Sequence, residues 1–278
     1  MKTNERHLIA IDLDRTILPD VLTRDAQSVR VLQRAQDAGH VVMIATARPT
    51  CMTMPHYRAM GLRAPIATVN GAYLYHPDDA AFPREEHLID ARSVSRLTAA
   101  AADIGIQYAW LENDDDIYVV GTPPVTNDYF VELFKRSDIH AVDRLPTLPA
   151  GRFFAFAETE AQAYALAALK DTLSNLFMRG PSEAKTGGFY ISAFSAQADK
   201  WYAVQRAAAL CGIDAQNIIT FGDEENDRMM VFNAPKGFVM CNAKQSFIDD
   251  AARAGAQTTA YSCEEGGVGY ELERVLGL

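Results

Sequence analysis

Apolar runs punctuate the two ends of the chain: a stretch rich in Ile at residues 7–12, "HVVMIAT" at 40–46 and "NIITF" at 217–221. Each is continuous rather than alternating, the pattern of a strand buried on both faces in a parallel sheet. Between the first two lies "TRDAQSVRVLQRAQDAG", in which Ala26, Val29, Leu32 and Ala35 share one helical face. Thr23 is placed to cap that helix, Asp25 to lie in its first turn and Gly39 to end it. Strand, helix and strand in this order predict a βαβ unit with a right-handed crossover. A third strand is expected at "PIATV", residues 65–69.

After "NGAYLYHPDD" the rhythm changes. Helical stretches ("SVSRLTAAAADIG", "AQAYALAALKDTLSNLF") alternate with strand-like ones ("DIYVVG", "RFFAFAE", "GFYISAF"), broken by "TPPVTN" and "LPTLPAG". From Asp199 the first rhythm returns, with Trp201, Val204, Ala208 and Cys211 on one helical face, the strand "NIITF", a helix from Asn226, "GFVMC" and two further helices. The fold class is therefore α/β: a doubly wound, Rossmann-like parallel-sheet core made of residues 1–79 and 196–278, with an α+β unit inserted at 80–195. "NDDDIY" at 113–118 reads as a solvated loop, and "GPSEAKTGG" at 180–188 as a surface segment whose Lys185 is available to an anion.

With 278 residues, 49% hydrophobic and 22% charged, the chain has the size at which one core divides into two domains or accepts a large insertion. The net charge of −10 and the lack of a basic run exclude a nucleic-acid partner, which would need clustered Lys and Arg. An acidic protein that binds a small anion needs local positive groups or a metal. Cys51, Cys211, Cys241 and Cys263 show neither CxxC pairing nor zinc spacing and read as reduced thiols of a cytoplasmic protein. No apolar stretch is long enough to span a membrane, and the N-terminal residues do not read as a secretory signal.

Ligands of open parallel sheets bind beyond the carboxyl ends of the strands. "IDLDRT", "IATARP" and "ITFGDEEND" each place polar residues where an apolar run stops, which puts Asp12, Asp14, Thr46 and Asp223 at one rim. An extended backbone between Asp12 and Asp14 sends both carboxylates to the same side. With Asp227 a helical turn beyond Asp223, up to four acidic groups converge, and each raises the proton affinity of the others unless a cation intervenes. Hard oxygen donors with few dedicated protein contacts suit Mg²⁺. Any one of these aspartates alone is equally well a loop-starting or helix-capping residue; the ordered set is not.

That set resembles the haloacid dehalogenase superfamily of phosphohydrolases, in particular its Cof-type, type IIB branch. Asp12-Leu13-Asp14-Arg15-Thr16 matches the family's DxDxT motif, Thr46 its second motif, Lys200 its third, and Asp223, Asn226 and Asp227 its GDxxND motif. "NGA" from Asn70 and "EGGVGYELERV" near the end match further signatures. The 154 residues between Thr46 and Lys200, against 34 between Asp12 and Thr46, fall where this branch inserts its cap.

Phosphate monoesters require accelerations of up to ~10²¹-fold, far beyond the ~10²–10⁴ of one general acid. A covalent route, which splits one displacement into two, is attractive on that ground. The resemblance implies that Asp12 is the nucleophile and Asp14 the acid/base, with Mg²⁺ held by the Asp12 side chain, the Asp14 backbone carbonyl, Asp223 and, through water, Asp227. It also implies that Thr46 and Lys200 clamp the phosphoryl group of a small phosphorylated metabolite and that Asn226 helps to fix the phosphate or the lysine. Arg48 and Asn70 are expected at the substrate or in structural roles beside it, a salt bridge for Arg48 and an Asn-Gly turn for Asn70. The sequence departs from the pattern at Arg15, Ala47, Trp201 and Cys241, where Gly is usual. Arg15 either points outward, or toward the cap as an extra anion contact, or distorts the turn beside Asp14. The alternatives to a phosphatase are a phosphomutase or phosphotransferase of the same superfamily, and a weakened phospho-ligand-binding regulatory protein.

Overall fold

The computed structural model of the protein describes residues 5–122, 128–135, 139–184 and 187–278; Lys185 lies outside them. The chain divides into two compact units, one of Met1–Arg48, Met52–Glu85 and Asp199–Leu278, the other of Pro49–Cys51 and Glu86–Ala198.

The chain begins with β1 (Leu8–Ile11), α1 (Ala26–Asp37), β2 (Val41–Ala45), α2 (Thr50–Ala59), β3 (Ile66–Thr68), β4 (Tyr73–Tyr75) and β5 (Glu85–Glu86). The second unit contributes α3 (Ala91–Asp103), β6 (Tyr108–Asn113), β7 (Asp116–Val120), α4 (Asp128–Phe134), β8 (Ile139–Ala141), β9 (Arg152–Ala157), α5 (Glu160–Ala167), β10 (Leu176–Glu183) and β11 (Phe189–Ser195). The first unit resumes with α6 (Lys200–Leu210), β12 (Ile218–Gly222), α7 (Arg228–Asn233), β13 (Lys236–Val239), α8 (Gln245–Ala254), β14 (Gln257–Thr258) and α9 (Gly267–Leu276).

The first sheet has the order β14-β13-β12-β1-β2-β3-β4-β5. From β14 to β3 its pairs are parallel, and β4 joins β3 antiparallel. Both faces of β1 are covered, which explains its unbroken apolar run. Ile9 and Ile11 pack with Val31 and Leu32 of α1 and Val268 and Leu272 of α9. Leu8 and Ala10 face Ala203, Val204 and Ala207 of α6. The chain leaves β1 toward β2 on one side and returns through β12 on the other, so the carboxyl end of β1 is the topological switch point.

The second sheet has the order β10-β11-β9-β6-β7-β8, with β7–β8 parallel and the other pairs antiparallel. Leu111, Phe153, Ala155 and Ile191 pack with Val94 and Leu97 of α3 and Leu166 of α5. On the opposite face, fully buried Glu112 accepts hydrogen bonds from Arg152 Nη2 at 2.5 Å and Trp110 Nε1 at 3.2 Å.

Several local expectations are corrected. Asp25, not Thr23, caps α1: its carboxylate accepts from the backbone N–H groups of Gln27 and Ser28, and an ionised acceptor suits a helix N-terminus better than a hydroxyl. Trp201 and Cys211 sit at the margin of the α6 face, whose buried residues are Lys200, Ala203, Val204, Ala207 and Ala208. The expected helix through "SNLF" stops early. After α5 and a short 3₁₀ turn (Ala168–Asp171), Asn175 binds Asp90, and Leu176 and Phe177 begin β10. Gly180–Glu183 therefore belong to a strand, with a register shift between Arg179 and Ser182. "NDDDIY" is not a loop but the close of the β6–β7 hairpin, where Asn113 pairs with Asp116 and Asp114 adopts φ 57°, a conformation that Asp tolerates.

Candidate active site

The site is built on the switch point. The Asp12 N–H donates to the Phe221 carbonyl at 3.0 Å, carrying the β1–β12 ladder one residue past the strand and setting Asp12 beside Gly222 and Asp223. Lys200 is the first residue of α6, whose N-terminus is fixed by Asp199 accepting from the Tyr202 N–H at 2.8 Å. Its buried ammonium donates to Asp12 Oδ1 at 2.8 Å and Asp227 Oδ1 at 2.7 Å. The other Asp227 oxygen accepts the backbone N–H groups of Asp223 (3.0 Å) and Glu224 (3.1 Å), so this fully buried side chain pins the loop after β12. A Cβ on Gly222 would lie 2.5 Å from the Asp227 Cγ and 2.7 Å from its Oδ2. Gly222→Ala should therefore displace Asp227 and lower turnover on the order of 10²-fold, the effect of roughly 1 Å of misplacement. Steady-state rates beside an unchanged circular dichroism spectrum would check it.

The second rim comes from β2 and the segment after β3. Buried Thr46 donates its N–H to Ala67 at 2.9 Å, and its hydroxyl accepts the Arg48 N–H at 3.2 Å. Val69 (φ 51°), Asn70 (φ 57°) and Gly71 (φ 87°) all adopt positive φ. For a β-branched residue this is a strained conformation. A Cβ on Gly71 would fall 2.4 Å from the Asp199 carbonyl, so the turn presses on the start of α6. The turn presents Asn70 Oδ1 to the Asn226 amide at 3.1 Å. The "NGA" stretch thus does more than reverse the chain.

Asp14 stands apart. The three carboxylates whose oxygens lie within 4.8 Å of one another are Asp12, Asp223 and Asp227. The Asp14 side chain, 44% exposed, is held bidentately by Arg48, Nη2 to Oδ1 at 2.6 Å and Nε to Oδ2 at 2.9 Å. Arg48 is buried and also donates to the Val21 carbonyl at 3.2 Å. The salt bridge expected of Arg48 is thus present.

Arg15 has φ 55°, the left-handed conformation in which Gly is the unstrained residue. The turn is closed by hydrogen bonds nonetheless. The Arg15 N–H donates to the Leu18 carbonyl at 2.8 Å, its carbonyl accepts the Asn242 amide at 2.9 Å, and its guanidinium donates to the Asn242 carbonyl at 2.6 Å. Its Nε lies 3.8 Å from Asp223 Oδ2. These local bonds offset the cost of a Cβ in this region.

Burial first, and the neighbouring Asp227 carboxylate next, raise the proton affinity of Asp12 against the opposing pull of Lys200. Asp223 is pushed up to about 8, by burial and then by Asp12 and Asp227. Burial alone would lower the Lys200 pKa, but Asp12 and Asp227 outweigh it and the net shift is upward. When all three carboxyls are ionised, one buried ammonium, with Arg15 beside Asp223, does not balance their charge. Asp12 Oδ2 takes no hydrogen bond from the described residues, whereas both Asp227 oxygens are engaged. A hard divalent cation fits this donor set, with Asp12 and Asp223 able to reach it directly.

A pH dependence follows. Both raised pKa values favour the folded state while the carboxyls are protonated, so their contribution is full below about pH 4 and is lost as pH rises through about 8 for Asp223. The EDTA-treated protein should lose stability over that window. Added Mg²⁺ should raise the melting temperature more at pH 8.5 than at pH 6, because binding must release fewer protons at the higher pH. Thermal melts with and without EDTA at both pH values measure this.

A family profile for haloacid dehalogenase-like hydrolases matches residues 9–272. The chain belongs to that family. It is 26% identical over 262 residues to the 5-amino-6-(5-phospho-D-ribitylamino)uracil phosphatase YitU of Bacillus subtilis, covering 94% of each chain. It is 27% identical over 268 residues to the pyridoxal phosphate phosphatase YbhA of Escherichia coli, covering 90% of this chain and 91% of the relative. Among solved structures, a haloacid dehalogenase-like hydrolase from Bacteroides thetaiotaomicron superposes with a TM-score of 0.80 at 18% identity, covering 98% of this chain and all of the other. A subclass IIB sugar phosphatase of the family superposes with a TM-score of 0.75 at 18% identity, covering 97% and 98%. The curated relatives are phosphatases, and the chain is with them a phosphoric monoester hydrolase.

Within this haloacid dehalogenase-like hydrolase, Asp12, Lys200, Asp223 and Asp227 are brought together by direct contacts or mutual proximity. Asn70 and Asn226 form one pair, and Asp14 and Arg48 another. Three participants escaped sequence reasoning. Thr16 Oγ1 lies 3.3 Å from Asp223 Oδ1, Asn242 ties the Arg15 turn to the Cys263 N–H, and His56 backs Arg48. Thr16 carried a motif signal without a role, and Asn242 lies in the stretch where Cys241 departs from the family pattern; His56 carried none.

Proposed function

We propose that the protein is a Mg²⁺-dependent phosphatase of a small phosphorylated metabolite, acting through an aspartyl-phosphate on Asp12. The observation that carries this reading is the buried ammonium of Lys200 joining Asp12 to Asp227 at the switch point, beside Asp223. Asp12 Oδ2 attacks phosphorus as the bond to the leaving alkoxide breaks, and Asp14 delivers the proton that the alkoxide takes. Asp14, now ionised, takes a proton from the water that cleaves the phosphorus–oxygen bond to Asp12. Thr46, Lys200 and Asn226 donate to the transferring group. Asp12, the Asp14 backbone carbonyl and Asp223 would hold Mg²⁺, with Asp227 reaching it through water; bound there, it would supply positive charge that lets one anion approach another.

The inserted residues 80–195 serve as the cap that selects the leaving group. The relatives' substrates, a phosphorylated ribitylaminouracil and pyridoxal phosphate, make ring-bearing phosphomonoesters the first compounds to try, with sugar phosphates beside them. The four free cysteines suit a cytoplasmic setting; among the described residues no helix is long and apolar enough to cross a membrane. The ordered turn at Arg15 supports retained turnover over a weakened binding role. A phosphate-release screen over a metabolite panel tests the reading. Mg²⁺-dependent release without an added acceptor is expected, whereas release only with an acceptor would favour phosphotransfer.

A further inference from the structure

A cavity of about 410 Å³ lies at the amino end of the first sheet, opposite the carboxyl rim that carries Asp12, and all of its lining belongs to the first unit. Arg6, just before β1, and His40, just before β2, stand in its wall. From Arg6 to Asp12 and from His40 to Thr46 is six residues each. At about 3.3 Å per residue along a strand, the cavity is roughly 20 Å from the reacting groups, so one small ligand cannot occupy both places.

The wall presents hydrogen-bond donors. His40, only 8% exposed, accepts the His7 backbone N–H on its Nδ1 at 3.1 Å. A backbone N–H can only donate, so Nδ1 holds a lone pair and the imidazole is neutral with its proton on Nε2. Burial first, then His7 and Arg6, lower the His40 pKa, in agreement with a neutral ring. That Nε2–H has no hydrogen-bond partner among the described residues. His76 repeats the arrangement, since its Nδ1 accepts the Asp78 N–H at 3.1 Å and leaves its proton on Nε2. Buried side chains rarely leave a polar hydrogen unused, and one in the wall of a cavity marks a place for an acceptor.

Charge and shape narrow the ligand. Arg6 donates Nε to the Gly39 carbonyl at 3.0 Å and forms no ion pair among the described residues, so its Nη groups are available. Arg63, also in the wall, is tied to Asp37 at 2.5 Å. The wall's single carboxylate, Asp79, accepts the Ala81 N–H at 2.9 Å and makes no contact with Arg6 that would cancel its charge. Phe82, which packs on the His76 ring, joins Val42 and Leu210 in an apolar part of the lining. A cation and unused N–H donors beside apolar surface suit an oxyanion carried on a small apolar body. We propose that this cavity is a second binding site, separate from the catalytic one and independent of metal, for a small carboxylate or phosphate on a planar apolar body, with Arg6 and His40 as its donors.

The full chain in EDTA is titrated with phenylphosphonate, benzoate and inorganic phosphate while the imidazole signals of its six histidines are followed by NMR. EDTA withholds the cation that an anion would need beside Asp12 and Asp223, so the catalytic centre is silenced and the cavity is not. The His40 and His76 signals should shift saturably with phenylphosphonate or benzoate, at a Kd of about 1 mM or tighter. Binding of either supports the proposal, and the tighter of the two tells phosphate from carboxylate. Inorganic phosphate, without a ring to meet Phe82, should bind about tenfold more weakly. Arg6→Gln, at an exposed position, should weaken binding by about tenfold or more through loss of charge-assisted bonds. With Mg²⁺ its turnover of p-nitrophenyl phosphate should stay within about twofold of wild type, because Arg6 takes no part in the reaction. Unmoved His40 and His76 signals at about 10 mM of both ring compounds would overturn the proposal, as would equal affinity in Arg6→Gln or equal affinity for inorganic phosphate. Binding that appears only with Mg²⁺ and leaves His40 unmoved would overturn it too, by placing the anion at the catalytic centre.

Discussion

Asp12→Asn is expected to abolish turnover, by about 10⁴-fold or more, as loss of a covalent nucleophile does. The amide is isosteric and keeps an oxygen to accept the Lys200 bond, now at 2.8 Å to Asp12 Oδ1. Stability should therefore survive, and the direction of the change is set by charge. Folding raises the proton affinity of Asp12, so its ionised form opposes the folded state above its raised pKa. A neutral residue at this position removes that opposition. The EDTA-treated variant should melt at or above the temperature of the wild type at pH 8, and its response to Mg²⁺ should be much reduced because one of the two carboxylates proposed to bind the ion directly has lost its charge. Kinetics and paired melts with and without EDTA would check both halves; a dead enzyme that is also unfolded would leave the role of Asp12 unproved and contradict the stability half.

Lys200→Met should act in the opposite way, on the fold as much as on the rate. Lys200 is buried, and its ammonium is the partner of both Asp12 and Asp227. Removing one member of a buried ionic network costs about 3–5 kcal/mol, chiefly because it strands the opposite charges. At roughly 2–4 °C per kcal/mol for a chain of this size, the melting temperature should fall by about 6–20 °C. Asp227 also anchors the loop after β12 through two backbone N–H groups, so its disturbance should reach Asp223. Lower pH should rescue stability in this variant more than in the wild type, since protonation relieves the stranded carboxylates, but it should not rescue turnover. Thermal melts of both proteins from pH 5 to 8.5 measure the difference. A loss below about 1 kcal/mol would show that the carboxylates find relief elsewhere.

The parts of this molecule that were legible in its sequence are those with local causes. The unbroken run of β1 follows from burial on two faces, and the polar residues that end β1, β2 and β12 mark the carboxyl rim of a parallel sheet. Lys200 was legible only through the family resemblance, because a lysine at a helix start carries no local sign that it will be buried between carboxylates 188 and 27 residues away. The Arg15 turn was illegible for a different reason. Arg does not advertise positive φ, and the bonds that permit it come from Asn242, 227 residues along. The same holds for Val69, where tertiary packing holds a β-branched residue at φ 51°. The hairpin at Asn113–Asp116 was hidden by three consecutive aspartates, which favour solvent by composition while β6 and β7 settle the matter by pairing. In the "TLSNLF" stretch the side chain of Asn175 is bound by Asp90 and Ser93 and its carbonyl by the Ala196 N–H, and these long-range bonds turn a helical pattern into a strand.

The aspartyl-phosphate on Asp12 is tested most directly by trapping it. Enzyme mixed with Mg²⁺ and p-nitrophenyl phosphate, quenched in acid during turnover and digested, should yield a peptide containing Asp12 that is heavier by one phosphoryl group. The adduct should be absent from Asp12→Asn and from enzyme treated with EDTA. Sustained phosphate release with a burst of p-nitrophenol, but with the phosphoryl group on another residue, would contradict the account, as would full turnover by Asp12→Asn.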